Sequence, residues 1–180
     1  MNKKLVIFEM ANNHMGDVAH GEHIIESFAK IKDKYPAFNY GMKFQFRELD
    51  TFIHPDYQDR LDLKYVKRFK ETSLSKKDFS KLIDLCREKG FATICTPFDE
   101  KSVDGVENFG FDILKIASCS FTDWPLLNRV AKTIKPIIAS TAGATLEQID
   151  NVVAFFKNRN KDLTIMHCVG EYPTQEENLQ

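Results

Sequence analysis

Two lysines sit inside apolar runs: Lys115 in Ile113-Leu-Lys-Ile-Ala117, and Lys43 in Tyr40-Gly-Met-Lys-Phe-Gln-Phe46. An ammonium group among such neighbours is costly unless its charge meets a partner, so each lysine implies an anion. Two inward lysines on neighbouring strands would repel unless a phosphate or carboxylate neutralised both. The other chemistry open to them is a Schiff base on a lysine whose pKa the second lysine lowers. Small hydroxyls close several of the apolar runs: Thr96, Ser118, Ser140 and Thr141. Each could donate to a phosphate oxygen, as could the backbone N–H groups of Ala142 and Gly143. Glu9 ends the first run and fits either an ion pair with Lys43 or Lys115 or a chemical role. His14, in Asn12-Asn-His-Met-Gly16, fits a loop turn or a substrate contact. His167-Cys168 is too small a set for a metal site.

These residues need elements to position them. Short apolar runs predict strands at Leu5–Glu9, Tyr40–Phe46, Phe91–Thr96, Phe111–Ala117, Pro136–Ser140 and Leu163–Cys168. Between them, apolar residues at helical spacing predict five helices. The first runs from Gly21 to Lys34. The second opens on a Ser75/Asp78 capping box and closes at Lys89-Gly90. The third spans Glu100–Asn108. The fourth starts on Asp123 with Pro125 in its first turn, and the fifth follows a Thr145/Gln148 capping box to Asn158. Thr174 and Glu177 predict the start of one more helix. Residues 47–73 form an excursion too long for a plain loop, with a short helix at Leu63–Lys70.

Strict alternation of strand and helix implies a parallel sheet, either doubly wound or part of a (β/α)8 barrel. In both, ligands bind at the carboxyl ends of the strands, where these polar residues fall. Residues two apart on a strand share a face, so Lys43 and Gln45 point to the barrel axis and Phe44 and Phe46 to the helix layer.

The totals narrow the partners. With 180 residues, 43% of them hydrophobic, the chain has material for about one domain. Fifteen Phe suggest bulky packing between layers. Lys plus Arg (25) nearly balance Asp plus Glu (26), giving a net charge of -1 that offers nothing to nucleic acid or an anionic membrane. The apolar run near the start is broken by Glu9, far short of a signal peptide, and no window approaches the ~18 apolar residues of a membrane helix. Four cysteines without a CxxC pattern fit reduced thiols in a cytoplasmic protein.

Taken together, the strand ends resemble the N-terminal catalytic domain of the sialic acid synthase family, the phosphoenolpyruvate-dependent N-acetylneuraminate and legionaminate synthases. The matching pieces run in order: Glu9-Met-Ala-Asn-Asn-His-Met-Gly16, Met42-Lys-Phe-Gln45, Cys95-Thr-Pro-Phe-Asp-Glu-Lys-Ser-Val103, Lys115-Ile-Ala-Ser118, Lys135-Pro-Ile-Ile-Ala-Ser-Thr141 and Met166-His-Cys-Val-Gly-Glu-Tyr-Pro-Thr174. The resemblance implies an incomplete (β/α)8 TIM barrel, units one to six, as a single partial domain over 1–180. It implies that Lys43, Thr96, Lys115, Ser118 and Ser140 hold the phosphate and carboxylate of phosphoenolpyruvate. Tyr172 matches a tyrosine of that pocket, Gln45 a contact to the acceptor amino sugar, and Glu9 an active-site carboxylate.

The implied reaction condenses phosphoenolpyruvate with an open-chain N-acetylated amino sugar of the N-acetylmannosamine type, giving a sialic-type acid and phosphate. A divalent metal, Mn²⁺ or Mg²⁺, would polarise the aldehyde. Its histidine ligands belong to strands seven and eight, absent from this chain, as is the antifreeze-like domain of the family's full-length homodimer. The 180-residue piece is therefore expected not to turn over alone. Three positions depart from the family: Ser120 in place of a glutamate, Ser140-Thr-Ala-Gly143 in place of Ser-Thr-Gly-Met, and Gly170 in place of an asparagine. With Ser120 there, Glu9 or Glu171 is left to handle the proton of the attacking water. The competing readings are a lysine Schiff-base aldolase on the same barrel and a non-catalytic phosphosugar-binding barrel.

Overall fold

The computed structural model describes residues 3–179. Its six strands, β1 (Leu5–Ala11), β2 (Asn39–Phe46), β3 (Ala92–Pro97), β4 (Ile113–Ile116), β5 (Ile137–Ser140) and β6 (Leu163–Met166), pair in sequence order, every neighbour parallel. They curl into an incomplete TIM-barrel-like α/β sheet alternating with helices, as the sequence pattern predicts. Among the described residues β1 and β6 each pair with a single strand.

The helices begin where their caps dictate. Helix α1 (Val18–Lys34) starts three residues before the expected Gly21, because the Asp17 carboxylate accepts from the N–H groups of Ala19 and His20 at 2.8 and 3.2 Å. Between β2 and β3 lie α2 (Leu49–Phe52), a 3-10 turn at Pro55–Tyr57, α3 (Lys64–Glu71) and α4 (Lys76–Glu88). The long excursion is thus mostly ordered as short helices. Helix α4 starts on Ser75, whose Oγ accepts from the Asp78 N–H. Helices α5 (Glu100–Asn108), α6 (Trp124–Val130) and α7 (Leu146–Lys157) follow, with Asp123 capping α6 and the Thr145/Gln148 capping box complete on α7.

The expected helix after Thr174 is corrected. Thr174 donates its hydroxyl to the Glu171 carbonyl at 2.8 Å instead of capping, and only a 3-10 turn forms at Glu176–Asn178.

The core lies between the sheet and its helices, and its layers are aromatic as the Phe count suggests. Phe44 meets Phe79 of α4 and Phe111 edge-on, with ring centroids 5.6 and 5.9 Å apart, and Phe46 packs on Phe79 and Phe109. The alternation along β2 therefore sends both phenylalanines to the helix layer. On β1, Phe8 stacks on Phe28 of α1 at 4.3 Å, and Met10 is fully buried. The β1–β2 register slips between Glu9 and Ala11, leaving Glu9 opposite Lys43. Such a bulge bends its strand and re-aims a side chain. Ala11 takes up the bend with φ 44°, a left-handed conformation that costs a non-glycine residue free energy.

The loop after β1 is closed by Gly16, at φ 77°. A Cβ there would lie 2.6 Å from the backbone carbonyl oxygen of Glu71, at the end of α3. Gly16→Ala is expected to lower stability by about 1–3 kcal/mol, from the combined backbone strain and overlap. Chemical denaturation of the variant checks this, and an unchanged midpoint would show that α3 yields freely.

Candidate active site

Lys43 is held on the inner face of the sheet by the β1–β2 register. Its Nζ lies 2.8 Å from Glu9 Oε1 and donates to Thr96 Oγ1 at 3.4 Å. The lysine is 5% exposed, and the Glu9 side chain about half exposed. Lys115, partly buried on β4, donates from Nζ to Ser140 Oγ at 2.6 Å across the β4–β5 step. The two lysines are not on neighbouring strands, as the sequence reading supposed: β3 lies between them. They still feel each other. Burial, and after it the positive charge of Lys43, push Lys115 below the usual lysine value.

The hydroxyl rim divides. Thr96 and Ser140 are each bonded to a lysine. Ser118 Oγ accepts from the N–H of Ala142 at 3.2 Å, which uses one of the backbone donors expected to face an anion. Thr141 is turned away, with both its N–H and its hydroxyl donating to the Met166 carbonyl at 3.2 and 3.0 Å. Tyr172 is fully exposed and does not join the cluster. Glu171 is tied into its own turn, accepting from Gln175 N–H at 3.2 Å and Asn178 Nδ2 at 2.9 Å, bonds that lower its pKa. Of the two carboxylates considered for the water proton, only Glu9 touches a site lysine.

One strand position beyond Lys43 and Phe44, Gln45 faces a cleft of ≈ 280 Å³ that also contains His14 and Arg47. Sequence reasoning did not single out Arg47. Its guanidinium carbon lies 3.8 Å from the ring of Phe98, 4.5 Å from Phe69 and 5.6 Å from Phe52. These rings come from three separate segments, so the available signal was only an arginine two residues after Gln45. His14 is 2% exposed, and burial, followed by the neighbouring His20, lowers its pKa to about 4. Its Nδ1 accepts from the Gly16 N–H at 3.2 Å, so the neutral ring carries its proton on Nε2.

Among the described residues no group of three or more His, Cys, Asp and Glu side chains is arranged to hold a metal ion. The divalent metal expected from the sequence has its histidine ligands assigned outside these residues. Nor, among the described residues, is any helix long and apolar enough to cross a membrane.

Comparison with known proteins agrees with this geometry. Residues 39–180 match the NeuB family. The crystal structure of a Chromobacterium violaceum protein described as spore coat polysaccharide biosynthesis protein E superposes with a TM-score of 0.93 at 56% identity, covering 98% of this chain and 52% of that one. The N-acetylneuraminic acid (sialic acid) synthetase of Leptospira borgpetersenii superposes with a TM-score of 0.83 at 27% identity, over 99% of this chain and 58% of that one. The N,N'-diacetyllegionaminic acid synthase of Campylobacter jejuni is 31% identical over 96% of this chain and 53% of its own length. The chain thus spans about half the length of the curated relatives it matches.

The buried His14 sets a pH dependence. Its folded pKa of about 4 lies below the ordinary value of 6.5, so across that interval the unfolded chain binds a proton that the folded chain refuses. The contribution of this residue to stability is complete above pH 6.5 and falls away as the pH drops towards 4, by at most about 3 kcal/mol. His14→Gln is expected to flatten this part of a stability-against-pH curve. An unchanged slope would assign the dependence to other groups.

Proposed function

The chain belongs to the NeuB family, and on that premise we propose that the intact protein condenses phosphoenolpyruvate with an open-chain N-acetylated aminohexose to give a nonulosonic acid and inorganic phosphate. The observation that carries this reading is the pairing of Lys43 with Thr96 and of Lys115 with Ser140 on the inner face of one sheet, with Glu9 as the carboxylate in contact. Two ammonium groups against one carboxylate leave an excess positive charge for a doubly anionic substrate to neutralise. Family members named as synthases of legionaminic acid, N-acetylneuraminate 9-phosphate and pseudaminic acid support the product class.

In this reading Lys43 and Lys115 bind the phosphate and carboxylate of phosphoenolpyruvate as ammonium ions, with Thr96, Ser118 and Ser140 completing the hydrogen bonds. C3 of phosphoenolpyruvate forms a bond to the sugar aldehyde carbon, and the aldehyde oxygen takes up a proton. Water then adds at C2, and cleavage of the C2–O bond releases phosphate and leaves the 2-keto acid. In this reading Glu9 accepts the water proton, a role for which Ser120 has no basic atom; its contact with Lys43 at 2.8 Å supports the choice over Glu171. A tyrosine contact from Tyr172 would need its segment to fold inward on binding. We assign the activity to the intact protein, as a cytoplasmic homodimer, and not to residues 1–180 alone. The divalent metal of the reaction would take its ligands from outside residues 3–179.

The lowered pKa of Lys115 also suits a Schiff-base aldolase. Borohydride trapping with pyruvate separates the two: a covalent adduct on Lys43 or Lys115 supports the aldolase, and none supports the synthase. Metal-dependent phosphate release from phosphoenolpyruvate with an N-acylated aminohexose is the direct test, and its failure with intact protein would refute the synthase reading. Lys43→Met and Lys115→Met should each weaken phosphoenolpyruvate binding by about 30-fold or more, the scale of losing one partner of a buried charge pair. Unchanged affinity in both would place the anion elsewhere.

A further inference from the structure

The rim hydroxyls differ in the direction of their hydrogen bonds. A hydroxyl has one proton to give and two lone pairs to receive. Thr96 Oγ1 receives from Lys43 at 3.4 Å, Ser140 Oγ from Lys115 at 2.6 Å, and Ser118 Oγ from the Ala142 N–H at 3.2 Å. Among the described residues none of these three hydroxyls donates to a protein acceptor, so each keeps its proton for a ligand. Thr141 is the exception. It is 8% exposed, and its hydroxyl and N–H both donate to the Met166 carbonyl oxygen, at 3.0 and 3.2 Å.

Lysine ammonium groups orient Thr96 and Ser140. Ser118 is oriented instead by a backbone amide from another loop, so its direction depends on where that loop lies. Ser118 opens a 3-10 turn after β4, whereas Ala142 lies in the turn that follows β5. In that turn the Ala144 N–H donates to the Thr141 carbonyl at 3.0 Å, and Gly143 takes φ 77°. Such a turn uses no N–H of its second residue, which leaves that of Ala142 for Ser118. Thr141 fastens the turn at its start. The β5–β6 register sets Ser140 opposite Met166, and the Thr141 side chain adds a second bond to the carbonyl that its own N–H already reaches. With the backbone bond alone the turn could pivot, the Ala142 N–H would leave Ser118, and the hydroxyl would rotate freely. With the amide on one lone pair, the Ser118 O–H is both held and polarised as a donor.

We propose that Thr141 is a positioning residue for the anion site: it fastens the β5 turn to the Met166 carbonyl, the turn holds the Ala142 N–H on Ser118 Oγ, and that bond aims the Ser118 proton at phosphoenolpyruvate. The inference rests on the reading of Ser118 as a phosphoenolpyruvate donor and adds a residue, its own hydroxyl committed elsewhere, that orients it.

The test is calorimetric titration of intact protein with phosphoenolpyruvate, alongside melting temperatures. Thr141→Val keeps the shape and the N–H but loses the hydroxyl, and should weaken binding about tenfold, the scale of one hydrogen bond to a charged group. Thr141→Ser restores the hydroxyl and should return affinity to within about threefold of wild type. Ala142→Pro deletes the N–H itself at a turn position that suits proline. It should match the loss of Thr141→Val while holding or raising the melting temperature. In a Ser118→Ala background neither Thr141→Val nor Ala142→Pro should cost more than about a further twofold, because the group they act through is gone. A merely structural role would leave their losses additive there. Unchanged affinity in Thr141→Val and Ala142→Pro, additive losses with Ser118→Ala, or no recovery in Thr141→Ser would each overturn the proposal. If Thr141→Val fails to fold, Ala142→Pro and its double variant decide the matter. Ser118→Ala weakening phosphoenolpyruvate while Thr141→Val and Ala142→Pro leave it intact refutes this inference alone. Full affinity in Ser118→Ala refutes the anion-site role of Ser118 and this inference with it. The reaction is read separately by phosphate release with an acceptor sugar, and the expected binding pattern without release refutes only the reaction.

Discussion

The cost of burying an ammonium group on the inner face of the sheet governs how this protein is built. Lys43 is almost wholly removed from water, and it remains tolerable only because Glu9 and Thr96 reach it from the strands on either side. That contact depends on register. The unbroken register from Leu5 to Glu9 sets Glu9 opposite Lys43 just before β1 slips, and the β2–β3 pairing sets Thr96 opposite Gln45, two residues from the lysine. A register shift of one residue would turn Lys43 into the phenylalanine layer and expose Phe44 on the inner face. The polar site and the aromatic core are therefore two sides of one alternation, and neither can move without the other.

The same economy runs along the rim. Among the described residues Lys115 has Ser140 but no carboxylate in contact, and burial and the charge of Lys43 lower its pKa. An anion held between them would relieve both lysines at once. Arg47 has a comparable relation to its aromatic clamp. It is held by ring faces, and both its terminal nitrogens donate to Gln45 Oε1. Stability is given up at these strand ends while the helix layer behind them supplies the compensating apolar burial.

The excursion between β2 and β3 connects these features. Its length alone suggests a functional segment, and its short helices bring Phe52 and Phe69 over Arg47 while the end of α3 abuts Gly16 in the loop that carries His14. The departure of Ser120 from the family pattern has a local counterpart: the side chain is buried beside Cys119, and among the described residues the only carboxylate in contact with a site lysine comes from β1.

The amino-acid sequence by itself determined the strand–helix alternation, the helix starts at Ser75, Asp123 and Thr145, the inward faces of Lys43 and Lys115, and the family. Each of these follows from patterns of adjacent residues or from short motifs in fixed order. It placed α1 three residues late, because Asp17 as a cap is a weaker signal than a capping box, and it extended a helix from Thr174 that the Glu171 carbonyl pre-empts. Only the tertiary structure decided that Glu9 meets Lys43 and not Lys115, that β3 separates the two lysines, that Thr141 turns to β6, and that Arg47 and His14 share a cleft with Gln45. Those outcomes depend on strand register, a bulge and rings contributed by segments distant in the chain. Such contacts are set by which segments can pack together at the least cost in unpaired charge, a property of the folded whole that no local pattern encodes.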